Sequence, residues 1–222
     1  MKIYNIIPII FVVLWSSAFI TSKIIIDNAS PFFSLSFRFI VVSFFFLLFF
    51  LIFSKKCFFT FNNILHASIS GLLFHGFYLG GVFYALSNGA SASLIALIVS
   101  LQPILTSTLA RIFLNESLSR LQWFGIFLGF LGALIVILTD LNNNLTLLAF
   151  CAGLIGLLSS SLGIIWQKKI VSDLSLSANN FIQALSASIF HFFLAVCFEN
   201  YFINFTSSFI IAMAWQIFAV SL

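Results

Sequence analysis

Charge is what this sequence has least of. Only 6% of its 222 residues are charged, five of them acidic, while 62% are hydrophobic. A soluble domain of that composition could not cover its surface with polar groups, so a water-soluble globular fold is excluded. Cysteine is also scarce. Cys57, Cys151 and Cys197 share no metal-ligand or redox spacing and read as small apolar residues. His66 and His75 are nine apart, on opposite sides of a helix, so with His191 they make no metal site. The sequence has no His-Glu-x-x-His, no Gly-x-Ser-x-Gly and no Gly-x-Gly-x-x-Gly. No acidic pair falls inside an apolar run, which leaves an intramembrane aspartyl protease or a carboxylate-driven pump without its chemistry. The expectation is therefore no enzyme, no catalytic residue, no cofactor and no metal. The net charge of +4 is no nucleic-acid signal here, because where the charges fall matters more than their sum.

Apolar sequence is abundant. Eight runs, 3–26, 32–53, 64–86, 91–114, 121–139, 145–167, 178–198 and 207–222, each read as a helix crossing the bilayer. The 32 phenylalanines are bulk for lipid-facing surface. The first run follows only Met1 and Lys2 and is too long for a signal-peptide core, so it reads as an uncleaved span. If every run crosses once, Lys2, Lys55, Lys56, Arg111, Arg120, Lys168 and Lys169 fall on one side. Asp27, Asp140 and Glu199 fall on the other, in links without Lys or Arg. Basic links mark the cytoplasm. The expectation is a multi-pass protein of the cell inner membrane with a cytoplasmic amino terminus.

Punctuation agrees with these runs. Ser30-Pro31 reads as an N-cap with proline at the first helical position. Ser119 with Gln122 reads as a capping box. Asn88-Gly89 and Asn142 to Asn144 read as turns, and Asn115-Glu116 as the joint of a membrane hairpin. Pro103 falls mid-run, where it kinks a membrane helix rather than ending it. Gly125, Gly129 and Gly132 form a bare stripe where another backbone is expected to come close.

Gln102-Pro103, Leu114-Asn115-Glu116, Gln122-Trp123 and then Gly125, Gly129 and Gly132 follow in order over about 40 residues. In that order they resemble the EamA-type members of the drug/metabolite transporter superfamily. Asn115 departs from the glycine usual there, a mild change at a turn. The resemblance implies an all-α membrane protein of ten helices, five plus five in inverted repeat. It also implies transport of small metabolites, out of or into the cell, by alternating access. Internal signs point the same way. Leu14 to Phe19 and Leu158 to Gly163 are similar small-residue stretches late in runs one and six, and five spans per repeat invert the second copy. The division expected is 1–140 as a first repeat and 141–222 as a partial second. The chain reaches Leu222 inside the eighth run, so the reading is a C-terminally truncated member. The rival reading is a truncated membrane fragment that transports nothing.

Arg38 is the sharpest candidate for substrate binding. It falls roughly 10 Å along its run, where facing lipid would cost a few kcal/mol. Lining a cavity is one reading; snorkelling or a structural bond is the other. Trp15, beside Ser16 and Ser17, borders the central cavity by the resemblance, or packs against a helix. Gln102 either faces substrate or bonds the carbonyl freed by Pro103. Trp166 and Gln183 are the counterparts in the second repeat. Lys23 and Asp27 read as an interfacial pair, Glu116 as a turn residue, and His75 as a hydrogen-bonded core residue near Tyr78. The partners expected are the lipid bilayer, a small-molecule substrate and, as one assembly, a second copy of the chain.

Overall fold

The computed structural model describes residues 7–53, 59–114, 118–140, 146–169 and 174–222. Long apolar runs with almost no helix-breaking residues leave the backbone one way to satisfy its polar groups inside lipid, and the described chain is accordingly a bundle of helices. In order these are α1 (Ile7–Ile26), α2 (Pro31–Phe53), α3 (Phe61–Ser87), α4 (Ala92–Leu114), α5 (Arg120–Asp140), α6 (Leu147–Lys169), α7 (Leu176–Phe198) and α8 (Ser207–Ser221). Six of them, α1 to α4, α6 and α7, are long and apolar enough to cross a membrane. α5 runs for 21 residues, and α8 is a shorter apolar helix. The outward side chains are large and apolar. Phe37, Ile40 and Phe44 on α2 are each about half exposed, as a lipid-facing stripe requires.

Three helices depart from regular α geometry. α4 breaks at Leu101, between Ala92–Ser100 and Gln102–Leu114, two residues before Pro103. α3 passes through a π-turn at Leu72–Phe77, and α8 ends in one at Gln216–Ser221. Such turns widen a helix locally and free carbonyls for other partners.

α2 and α7 form the most extensively packed pair. Ser36 and Ser188 exchange hydrogen bonds across it, each hydroxyl donating to the other residue's carbonyl at 3.1 and 3.0 Å. α3 packs against both α7 and α6, and α4 against α6 and α1. α8 lies on α1 and α2. Backbones touch where glycine allows. A Cβ on Gly71 would come within 2.5 Å of the Gln183 carbonyl on α7. One on Gly81 would come within 2.5 Å of the Ala152 carbonyl on α6, beside Gly156. The stripe singled out on α5 behaves differently. Nothing lies within 4 Å of a Cβ at Gly125 or Gly132, and only the end of Ile104 approaches Gly129. α5 packs chiefly on α4 and receives no backbone there. The close approaches fall on α3 instead, because α3 is the helix enclosed on several sides.

The turns form as the sequence suggests at two places. Gly89 takes φ +92° behind Asn88, and Ser119 and Gln122 close a capping box. Ser30 is different. Its hydroxyl bonds the Asn200 carbonyl and accepts from the Phe202 amide, in the α7–α8 link. The α2 amino terminus is capped by Glu199, which accepts from Phe32 N at 2.6 Å and Phe33 N at 3.0 Å. A carboxylate from across the bundle can take two helix amides at once, where the serine hydroxyl takes one. The Asn115-Glu116 joint, the Asn142 to Asn144 turn, Cys57, Lys2, Lys55 and Lys56 lie outside the described residues.

Candidate functional site

Arg38 is the eighth residue of α2 and is only 4% exposed. An arginine buried among apolar helices needs its N–H groups satisfied, and α8 satisfies part of them. Nε and Nη2 donate to the Ser221 hydroxyl at 3.0 and 2.8 Å, and Nη1 donates to Gln216 Oε1. The π-turn that ends α8 presents both acceptors to the same guanidinium. Gln216 is itself fully buried and held by α1: its amide nitrogen donates to the Ala18 carbonyl, Thr21 Oγ1 and Ser22 Oγ at 2.8 to 3.1 Å. The guanidinium also sits over the Phe39 ring, 5.4 Å from its centre.

Arg38 faces a cavity of about 110 Å³ between α1, α2, α3 and α8, walled by Trp15, Phe19, Phe74, His75, Tyr78 and Ser221. Trp15 stacks on Tyr78 at 6.5 Å. His191, on α7, bonds the His75 carbonyl at 3.0 Å inside the α3 π-turn and is fully buried between Phe32 and Phe39. His75 thus presents its ring to the cavity while its backbone carries the α3–α7 joint.

Trp15, Phe19 and Phe74 also wall a second, larger cavity of about 690 Å³, reaching Ser100, Gln102 and Gln167. The break in α4 opens it, since Gln102 and Pro103 stand where the helix is interrupted. Gln167 in turn shares a third cavity of about 350 Å³ with His66, Ser70 and Asn179. The three cavities share wall residues in turn: Trp15, Phe19 and Phe74 between the first and second, and Gln167 between the second and third. They run from Arg38 toward the end of the bundle that carries Arg111, Arg120 and Lys168.

At the other end, two links are clasped together. The α1–α2 turn and the α7–α8 link are joined by an antiparallel bridge between Ala29 and Ile203. Ser30 N donates to the Phe202 carbonyl at 3.1 Å, Asn204 N to the Asn28 carbonyl at 2.7 Å, and the Thr206 hydroxyl to the Asn28 side chain. Glu199 adds its two bonds to the α2 amides. Half-burial pushes the Glu199 carboxyl above its usual range, with the two amide donors pulling the other way. Asp27 pairs with Lys23 at 2.7 Å on the exposed rim.

The five residues marked in the sequence therefore separate into two groups. Arg38 and Trp15 wall one cavity, and Gln102 faces the next. Trp166 and Gln183 wall neither. Gln183 is buried and accepts from Gln167 at 3.3 Å, so it braces a cavity residue from behind. Trp166 rests against His66 at 5.6 Å, and its indole N–H has no partner among the described residues. Gln216, Ser221, Ser22 and Phe74 were not marked. A glutamine inside an apolar run was the available signal for Gln216; Ser22 and Phe74 carry none by themselves. A family model described as the EamA-like transporter family matches residues 2–138. Among curated proteins, none matches this sequence.

Proposed function

The chain belongs to the EamA-like transporter family, and from that premise we propose that it carries a small metabolite through the Arg38 cavity by alternating access. Membership makes it a multi-pass membrane transporter of small molecules. One arrangement supports the finer reading above the rest: cavities that share wall residues succeed one another on the basic side of Arg38, while a hydrogen-bonded clasp joins two links on the acidic side.

Basic links mark the cytoplasm, so the clasp faces out of the cell, the amino terminus faces in, and the conformation is the inward-open one. The bilayer is the inner membrane of the cell. Two repeats, 1–140 and 141–222, supply the moving parts, the second of them partial. The family match ends at residue 138, close to that boundary. The clasp joins Ala29 to Ile203; with the division at 140, these belong to different repeats, so rocking one against the other would part it. Arg38, Trp15 and Gln102 contact the substrate directly. Gln183 and Trp166 support the inner chamber through Gln167 and His66. The interior spans described here contain no carboxylate, which favours exchange or facilitated movement over a proton carried on Asp or Glu.

A disulfide across the clasp tests this. In an antiparallel pair the Cα atoms are about 4.5–5.5 Å apart, within the range a disulfide spans. The variant Ala29→Cys/Ile203→Cys, in a chain whose native cysteines are replaced, is expected to lose flux of a metabolite panel when oxidised and regain it on reduction. A fragment that transports nothing would show no flux in either state. Flux unchanged by the disulfide would mean the clasp does not gate.

A further inference from the structure

Resting on that transport reading, we propose that the substrate is a small organic monoanion, a carboxylate with an apolar body. Its negative group would sit on Arg38 and its body against Trp15, Phe19 and Phe74. The starting point is an imbalance of charge. Arg38 is buried, and a buried cation is stable only when compensated. Its partners Gln216 and Ser221 are neutral. Asp27 is paired with Lys23 on the rim. Glu199 is engaged by the α2 amides at the clasp. The other polar groups on the cavity wall, Ser22, His75 and Tyr78, supply no formal negative charge near neutral pH.

The hydrogen bonds carry the same imbalance. A guanidinium has five N–H donors, and the protein takes three of them. The two that remain, on Nη1 and Nη2, match the two oxygens of a carboxylate. A single arginine neutralises a single charge, which disfavours a phosphate dianion: among the described residues no second cation lines the cavity. The rest of the wall is aromatic and aliphatic. At about 110 Å³ the space is comparable to the ~150 Å³ cavity that takes a benzene ring. Larger bodies would extend past Trp15 and Phe74 into the second cavity.

The experiment is thermal unfolding of the purified full chain in detergent, at constant ionic strength, with five probes: sodium benzoate, sodium acetate, benzamide, benzylamine and sodium phosphate. Benzoate is expected to raise Tm with the logarithm of its concentration, by about 5 °C at a hundredfold excess over its Kd. Benzamide, benzylamine and phosphate should give at most a fifth of that. In Arg38→Gln, whose side chain can still bond Ser221, the benzoate shift should vanish. Trp15→Ala leaves the charge in place, so it should weaken benzoate at least tenfold and leave acetate unchanged. Equal shifts from benzoate and benzamide, a larger shift from benzylamine or phosphate, or no shift from any probe would overturn the assignment. So would a benzoate shift that survives in Arg38→Gln. Binding is read here without flux. Flux of a neutral metabolite with no benzoate shift would sink this inference and leave the transport reading standing. A benzoate shift with no flux of anything would do the reverse.

Discussion

Arg38→Ala is expected to cut flux by about thirtyfold or more while the protein remains in the membrane at normal levels. Truncating one partner of a buried charged contact typically costs about 2–5 kcal/mol, and each 1.4 kcal/mol is about a factor of ten. The substitution removes the one cation among the described residues that faces the cavity, so the loss should fall on substrate rather than on folding. A structural role has its own signature. Arg38 links α2 to α8 through Gln216 and Ser221, and Arg38→Gln can keep part of that link without the charge. If the link were all that mattered, Arg38→Gln would transport nearly as well as the parent. The transport account requires Arg38→Gln to fail almost as badly as Arg38→Ala. Membrane abundance and Tm measured beside flux separate the two.

The second large effect concerns folding. Gly81→Leu should prevent α3 from seating on α6, because its Cβ would fall 2.5 Å from the Ala152 carbonyl and 3.2 Å from Gly156 N. Both neighbours are backbone and cannot rotate away, so the helices must separate. Overpacking that only moves side chains costs about 1–3 kcal/mol; displacing a helix backbone should exceed that range. The expected result is loss of folded protein from the membrane, or a Tm lower by about 10 °C or more. Gly125→Leu is the contrast. A Cβ there meets nothing within 4 Å, so stability should stay within about 0.5 kcal/mol of the parent. Equal behaviour of the two variants in detergent melting would refute the packing described for α3.

The pair of glycine sites also shows where sequence reading ends. Periodicity, turns and charge mark the helices: the Asn88-Gly89 turn, the Ser119–Gln122 box and the Lys23–Asp27 pair all depend on residues no more than four apart. Gly125, Gly129 and Gly132 satisfy the same local rule, yet no backbone meets them, while Gly71, Gly81 and Gly156 do the close packing. Spacing along one helix shows that a face is bare; it does not show which helix turns toward it. Glu199 is a similar case. It caps a helix more than 160 residues earlier, displacing the local cap at Ser30. Arg38 was marked by depth alone, since an arginine that far into an apolar run must avoid lipid. Its acceptors Gln216 and Ser221 lie about 180 residues away and become visible only when the π-turn of α8 is in place. The structure puts Arg38 and Trp15 on one wall and moves Trp166 and Gln183 behind the inner chamber.

The central claim is that the path to Arg38 opens on the basic, cytoplasmic face and is shut on the other. Ser22 lines the Arg38 cavity and is 4% exposed. The most direct measurement is the labelling rate of Ser22→Cys, in a chain with Cys57, Cys151 and Cys197 replaced, by a small impermeant anionic thiosulfonate. The reagent is added to right-side-out or inside-out vesicles without substrate. Labelling several-fold faster from the cytoplasmic face is the result this account predicts. Faster labelling from the outer face, or equal rates from both, would contradict it.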